Sequence, residues 1–425
     1  MKRIRNMKVN LVSLGCAKNR VDSEKTLAIL ASQGCVITDD PNLADCLLVN
    51  TCGFINDART ESINTILELA EIKKRNPSVR LAVMGCMVER FGGELSQELP
   101  EVDYLFDFSN ETAGLAHKAE TTARILETGA VSAYLKIAEG CGNSCSFCSI
   151  PLIRGPLKSR PVESIVAEAR QLVSSGVKEI VLVAQDTSRY GADLRMKNGL
   201  VSLLREVVKT DARWVRVMYL YPTLITDEIL NCIAEEEKVC HYIDVPLQHI
   251  NDDVLKKMGR NENKRDIIRL VERIRKRMPQ GAIRSSFIVG TPGEMEKQFR
   301  ELEQFIISAE LDHAGVFTYS PEEGTKSAEM SDDIPEEVKH ERKERLMLLQ
   351  QEISLKRNKA KVGKAFDVLV ERFDVENNLL PGRLMTQAPE VDGDVILDAC
   401  SARPGEIITV KISGAIEYDL IGVQT

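Results

Sequence analysis

The sequence contains no apolar run near the roughly 20 residues that a membrane-spanning helix needs, so no segment is expected to cross a bilayer. The opening Met1–Met7 is basic, but no apolar stretch with a small-residue cleavage site follows it, and no secretory signal is expected. Basic charge is also in short supply. Lys and Arg number 56 against 64 Asp and Glu, a net charge of −8 with a pI near 5.5. Proteins that grip phosphate backbones usually show a basic excess or a basic face, so the balance argues against nucleic acid without excluding a local patch. No internal repeat of 20–50 residues and no low-complexity tract occurs. A 43% apolar, 28% charged chain of 425 residues is then an ordinary globular protein of two or three domains, expected in the cytoplasm.

Against that background stand 11 cysteines, an odd number. In a reducing compartment, clustered cysteines are metal ligands or catalytic groups more often than disulfides. Cys141, Cys145 and Cys148 form a C-x₃-C-x₂-C run with no fourth cysteine beside it, and the nearest downstream histidine is His241. A zinc site would want that fourth ligand. Three adjacent thiolates instead suit a [4Fe–4S] cluster with one iron left open for a substrate or cofactor.

A second set, Cys16, Cys52 and Cys86, is dispersed at intervals of 36 and 34 residues. Each follows a short apolar run and has a glycine beside it (Gly15, Gly53, Gly85). The ends of parallel strands form the ligand crevice of open α/β sheets, so three such thiols can converge and hold a second cluster, again with an open iron. Cys35, Cys46, Cys232, Cys240 and Cys400 fit buried positions and are assigned no role.

The first hundred-odd residues alternate strand runs (Val9–Leu14, Cys46–Val49, Leu81–Met84) with helices. One helix is expected from about Asp22, with Leu27, Leu30 and Ala31 on one face. Another is expected from about Asp57, its core face formed by Ile63, Ile66, Leu67 and Ala70. This is a βαβ pattern and implies a parallel sheet. Six further strands are expected at Ala133–Ile137, Ile180–Ala184, Trp214–Leu220, Tyr242–Val245, Ile283–Val289 and Gly315–Tyr319. Helices separate them, which suggests a barrel or partial barrel, although periodicity alone does not separate that from an open sheet. The acidic stretch Glu322–Glu337, with Pro321 and Pro335, reads as a linker, followed by a charged helix from about Glu336 to Lys359. From Val362 onward, short β-type runs (Phe366–Val370, Val395–Leu397, Ile407–Ile412, Leu420–Val423) separated by Pro-Gly and Asp-Gly turns suggest a small OB-like β-barrel.

At the cysteines the chain resembles the radical S-adenosylmethionine enzymes. Cys141–Cys148 matches their motif, and together with Cys16, Cys52, Cys86 and the terminal barrel it is similar to a methylthiotransferase over nearly its whole length. Ser13–Glu24, Tyr242–His249 and Phe317–Thr325 resemble the group that modifies an aspartate of small-subunit ribosomal protein S-twelve. The tRNA-modifying group usually carries Gln-Met where this chain has Ala17-Lys18. Ala17 and Thr291 depart from the usual proline and phenylalanine, and neither is a cluster ligand. The 11 acidic and 7 basic residues from Asn358 onward also suit a basic ribosomal protein better than tRNA.

The resemblance implies an α/β fold of three parts. These are an N-terminal parallel sheet domain (8–124), a central partial (βα)₆ radical S-adenosylmethionine barrel (127–357) and a C-terminal TRAM or OB-like antiparallel β-barrel (358–425). It implies two [4Fe–4S] clusters, on Cys16/Cys52/Cys86 and Cys141/Cys145/Cys148, and S-adenosylmethionine bound to the open iron of the latter. A deoxyadenosyl radical would take a hydrogen from the aspartate β-carbon, and the first cluster would deliver a methylated sulfur. A one-electron donor such as flavodoxin is implied. No acid–base pair is nominated, and Asp244, Asp312 and His313 read as structural. Phe147, Gln185, Gln248 and Gly290 are candidate S-adenosylmethionine contacts. The basic segment Arg154–Arg160 is a candidate for the cofactor carboxylate or an acidic substrate. The competing readings are a tRNA adenosine methylthiotransferase and a non-catalytic iron–sulfur carrier.

Overall fold

The computed structural model describes residues 5–107, 122–373, 379–398 and 401–425, so Cys400 lies outside the described residues. The chain divides into two compact units. The first takes Met1–Glu127, Glu139–Gly142 and Ser149–Leu157, and the second Thr128–Ala138, Asn143–Cys148 and Lys158–Thr425.

In the first unit β1 (Lys8–Ser13), α1 (Ala17–Ser32), β2 (Val36–Ile37), β3 (Cys46–Thr51), α2 (Asn56–Arg75), β4 (Arg80–Gly85), α3 (Cys86–Glu98) and β5 (Tyr104–Phe106) build one parallel sheet, ordered β2-β1-β3-β4-β5. Helices on a parallel sheet bury both faces, which is why its strands read as continuous apolar runs. Leu47, Val49, Leu81 and Val83 pack with Ile66, Ala70 and Met87, while Val9, Leu48, Ala82 and Met84 pack with Leu30.

Two helix expectations need correction. α1 starts at Ala17, five residues before Asp22, because its first turns bury mostly polar side chains, Asn19, Asp22, Ser23, Glu24 and Thr26, with Val21 the one apolar residue among them. Of the expected face Leu30 is buried, beside Ile29, while Leu27 and Ala31 are half-buried. An apolar-periodicity search cannot see such a face. In α2 the buried stripe is Ser62, Ile66, Leu69 and Ala70, while Ile63 and Leu67 are exposed. Ser62 occupies a core position because its hydroxyl serves the backbone of Cys52.

β6 (Ser132–Lys136) opens the second unit. The two-residue strands β7 (Ala138–Glu139) and β8 (Lys158–Ser159) and the short helix α4 (Ile150–Arg154) flank the segment carrying Cys141, Cys145 and Cys148. Then α5 (Val162–Ser174), β9 (Glu179–Val183), α6 (Gly199–Val207), β10 (Trp214–Val217), α7 (Asp227–Glu235), β11 (Tyr242–Asp244), α8 (Asp252–Lys257), α9 (Lys264–Arg277), β12 (Ala282–Val289), α10 (Glu296–Ala309) and β13 (His313–Thr318) alternate along the chain. Two three-stranded parallel sheets, β10-β9-β6 and β11-β12-β13, meet through a Val215–Val239 bridge and the Leu220 N–H donating to Asp244 O at 2.9 Å. The result is a six-strand arc in chain order, the partial barrel that the resemblance implies.

The stretch read as a linker is not free. Glu322, Thr325 and Ser327 are buried, and the backbone N–H of Ser327 donates to Ser146 O at 2.9 Å. Its acidic, proline-flanked composition hid a strap that holds the cysteine loop. α11 (Glu336–Lys359) leads to β14 (Ala365–Val370), β15 (Leu380–Leu384), β16 (Val395–Asp398), β17 (Ile407–Ala415) and β18 (Leu420–Gln424), which close a barrel ordered β14-β15-β16-β18-β17. Pro381-Gly382, read as a turn, lies inside β15. A Cβ at Gly382 would stand 2.6 Å from Val368 Cγ1, so the glycine serves close strand packing rather than a reversal.

Candidate functional site

β1, β3 and β4 are neighbours in one parallel sheet, and each is followed at its C-terminal end by one of the dispersed cysteines. Cys16 is the N-cap of α1, Cys52 is the first residue after β3, and Cys86 is the first residue of α3. The chain must turn within one to three residues of each strand, and two glycines show how tightly. Gly15, at φ +87°, would place a Cβ 2.8 Å from Cys52 Cβ and 3.1 Å from its sulfur. Gly85, at φ +102°, would place one 2.3 Å from Asn50 Oδ1. Only glycine fits both the dihedral and the space.

Asn19 ties the three strand ends together. Its Nδ2 donates to Leu14 O at 3.1 Å and Thr51 O at 2.9 Å, and its Oδ1 stands 3.4 Å from Cys86 Sγ. Arg154, at the end of α4, donates through Nη2 to Asn19 Oδ1 at 2.6 Å and to Cys86 Sγ at 3.1 Å. Its Nη1 faces Asp22 Oδ2 at 2.9 Å and Glu139 Oε2 at 3.3 Å. The basic segment Arg154–Arg160 is the sequence's candidate for the cofactor carboxylate or an acidic substrate, yet its first residue is engaged at a cysteine sulfur. Neither role was legible from sequence, because the sulfur that both side chains meet, Cys86, lies 67 residues from Asn19 and 68 from Arg154.

The electrostatics differ among the three thiols. Burial pushes Cys52 up to about 11, with Cys86 and Cys16 adding to the rise. Burial also raises Cys86, against the charge and hydrogen bond of Arg154. For Cys16 burial is again the largest influence, but Lys18, the backbone N–H groups of Asn19 and Lys18, and Arg154 together outweigh it and hold the thiol below its usual value. Cys16 is solvent-exposed, whereas Cys52 and Cys86 are buried. Among the described residues, no three His, Cys, Asp or Glu side chains close around a single metal ion. Thiolates sharing a four-iron cube stand further apart than ligands of one ion. Three soft donors at adjacent strand ends, with glycine leaving room beside one sulfur and a cation at another, fit such a cube.

The Cys141–Cys148 loop crosses from the first unit to the second. Cys141 N–H donates to Gly155 O at 3.1 Å in the first unit. In the second, Cys148 N–H donates to Cys145 O at 3.3 Å, and Ser146 is fixed by Lys257 O, Met258 O and the Ser327 hydroxyl. Arg260 Nη1 stands 3.7 Å from Cys145 Sγ; the guanidinium is buried, paired with Glu262 at 2.5 Å and set over the Tyr221 ring. A buried, carboxylate-paired arginine therefore stands at one sulfur of each set.

The candidate cofactor contacts are more varied. Phe147 is half-buried between Cys145 and Cys148. Gln185 lies two residues beyond β9, and Gln248 follows β11 at φ +70° with a backbone bridge to Phe287, so both stand at C-terminal strand ends of the arc. Gly290 follows β12, but its space is set by Lys339: a Cβ there would lie 2.3 Å from Lys339 Cγ. Asp312, ahead of β13, accepts from Arg275 and Arg357 and from the Ile283 N–H. Asp244 accepts from the Tyr219 N–H at 2.9 Å.

Residues 8–107 match an uncharacterized protein family designated UPF0004, residues 135–306 the Radical SAM superfamily, and residues 362–424 the TRAM domain. The ribosomal protein uS12 methylthiotransferase RimO of Clostridium perfringens is 45% identical over 437 residues, covering 98% of this chain and 98% of its own. The chain belongs to the RimO family of radical SAM methylthiotransferases. RimO proteins of Symbiobacterium thermophilum (45% identical; 99% of this chain and 92% of the relative) and Pelobacter propionicus (44%; 99% of each) agree. Among solved structures, the radical S-adenosylmethionine methyltransferase TsrM of Kitasatospora setae, with tryptophan and a SAM analogue bound, superposes with a TM-score of 0.55. It is 15% identical over 73% of each chain. The cobalamin-dependent radical enzyme OxsB reaches 0.51 at 10% identity, over 83% of this chain and 56% of its own. At such identities they show that the RimO-family chain shares their fold.

Proposed function

We propose that this chain transfers a methylthio group to the β-carbon of an aspartate in small-subunit ribosomal protein S-twelve. Cys16, Cys52 and Cys86 hold one [4Fe–4S] cluster, and Cys141, Cys145 and Cys148 hold the other. When bound, the clusters and S-adenosylmethionine supply the radical and sulfur chemistry. The chain's own residues bind and orient. Segment 8–124 presents the first three cysteines, segment 127–357 presents the second three with Phe147, Gln185, Gln248 and Gly290 as cofactor contacts, and segment 358–425 engages the substrate. A net charge of −4 in that last segment favours a basic ribosomal protein by complementarity. A one-electron donor such as flavodoxin serves the reaction, and the enzyme works in the cytoplasm, where ribosomes are. No helix among the described residues is long and apolar enough to cross a membrane.

The observation that supports this reading best is the placement of Cys16, Cys52 and Cys86 at three neighbouring strand ends, in a chain similar to RimO proteins from end to end. The test is mass spectrometry of ribosomal protein S-twelve and of total tRNA from a deletion strain, before and after complementation. The methylthio mark should vanish from the protein alone and return with the wild-type gene but not with C16A or C145A. Loss of a tRNA mark with the protein mark intact overturns the substrate.

A further inference from the structure

We infer that Arg154 is a positioning residue that sets the reduction potential of the cluster on Cys16, Cys52 and Cys86, an inference that rests on that ligand assignment. The Arg154 side chain is 2% exposed. A guanidinium so deep needs its charge balanced and its donors filled. Asp22 and Glu139 provide the balance, at 2.9 and 3.3 Å from Nη1. Neither requires the other arm of the fork to meet a sulfur. Yet Nη2 reaches Cys86 Sγ at 3.1 Å, and the Asn19 Oδ1 at 2.6 Å fixes its angle. Asn19 is itself held by Leu14 O and Thr51 O, backbone groups at the ends of β1 and β3. The donor is thus locked to the same strand ends that carry the cysteines.

Hydrogen bonds to the sulfurs and net local charge set the potential of an iron–sulfur cluster. One-electron reduction, from the 2+ to the 1+ state, adds one negative charge. A cation donating to a ligand sulfur stabilises the reduced state and raises the potential. Asp22 and Glu139 work in the opposite direction by offsetting that cation. Removing Arg154 and removing one of its carboxylates should therefore shift the potential with opposite signs. A merely structural arginine would not produce that pair of effects.

The experiment uses the full chain with C141A/C145A/C148A, anaerobically reconstituted, so that only the N-terminal cluster forms. Dithionite supplies the electron, and the reduced signal is followed by electron paramagnetic resonance during a potentiometric titration. Relative to this parent, R154Q should move the midpoint negative, R154K should fall between them, and E139Q should move it positive, all at about four irons per chain. A midpoint unchanged in R154Q at equal iron content overturns the inference, as do shifts of the same sign in R154Q and E139Q. If R154Q retains no iron, E139Q decides: a positive shift supports the role and no shift rejects it. A parent that binds no iron sinks the ligand assignment, and the role of Arg154 with it.

Discussion

Arg383 of the terminal barrel and Glu179 at the start of β9 form an ion pair in which neither side chain keeps any solvent exposure. Arg216 Nε donates to the other Glu179 oxygen, Oε1, at 2.7 Å, while Ser132 donates to Oε2, which Arg383 also holds, at 2.9 Å. The remaining arms of Arg383 reach Glu371 and Gln387 O, each at 2.7 Å. Asp392 extends the seam, accepting from the Tyr242 hydroxyl at 2.6 Å and facing His313 at 3.3 Å. Ser132, Glu179, Tyr242 and His313 are the first residues of β6, β9, β11 and β13. The terminal barrel is thus fixed to the strand starts of the arc, while Gln185 and Gln248 follow strand ends.

Removing one partner of a buried pair leaves the other charge stranded, which is why R383M should cost about 3–5 kcal/mol. Urea denaturation should show the loss as a lower midpoint, whereas K209M, at an exposed helix pair, should stay within about 0.5 kcal/mol of wild type. Equal midpoints for R383M and wild type would show that the seam contributes no net stability.

The same seam gives an acid limit. Burial works against ionisation of Glu179, but Arg216, Arg383 and Ser132 outweigh it and hold the carboxyl near 2, against an ordinary 4.5. A depressed folded-state value gives stability that is present above the unfolded value and lost as pH falls from 4.5 through about 2. Asp394 has the opposite sign. Burial, with Glu371 and Asp419 nearby, pushes it up from 3.8 to about 6, so its ionisation costs stability above about 6 and the cost fades toward 3.8. D394N should therefore raise the melting temperature at about pH 8 and change it little at about pH 4. A gain that is the same at both pH values would refute the assignment of that cost to Asp394.

Ser327 donates its hydroxyl to Ser146 at 2.7 Å, and Ser146 donates to Lys257 O at 2.7 Å. One buried hydrogen bond is worth about 1 kcal/mol, too little to unfold the chain but enough to loosen the loop between Cys145 and Cys148. S327A should release iron to a chelator faster than wild type while its far-ultraviolet circular dichroism is unchanged. Identical release rates would mean that the strap does not steady the loop.

Most of the architecture was legible because burial and periodicity agree in it. The Cys46–Thr51 and Arg80–Gly85 strands are apolar on both faces, and the helix boundaries at Glu336 and Lys359 coincide with those expected. Reading failed where polar groups occupy core positions. The first turns of α1 bury Asn19, Asp22 and Glu24 for hydrogen bonds and ion pairs, with Val21 alone apolar among them, so the start of the helix carries little apolar signature. Gly382 signalled a turn and instead admits a neighbouring strand. The cysteines were visible as residue types at strand ends, and Arg154 as part of a basic segment, but not its place at Cys86, which is 68 residues away. Only a fold can bring such a pair together.

Gly85 tests how much the N-terminal site depends on backbone rather than on cysteine itself. Its φ of +102° disfavours any L side chain, and an added Cβ would meet Asn50 Oδ1 at 2.3 Å and Thr51 O at 2.6 Å. Neither Asn50 nor Thr51 has slack. Asn50 Nδ2 donates to Asn19 O and Ser23, each at 2.9 Å, and the Thr51 carbonyl accepts from Asn19. G85A must therefore displace Cys86, the next residue, from its place at the strand end. Anaerobic iron and sulfide analysis should fall from about eight irons per chain to about four, the Cys141–Cys148 cluster remaining as an internal sign that the chain has folded. G93A, whose Cβ meets nothing within 4 Å, should keep the full complement. Full iron content in G85A would mean that the strand end tolerates the strain, and that the geometry at Gly85 does not govern the first site.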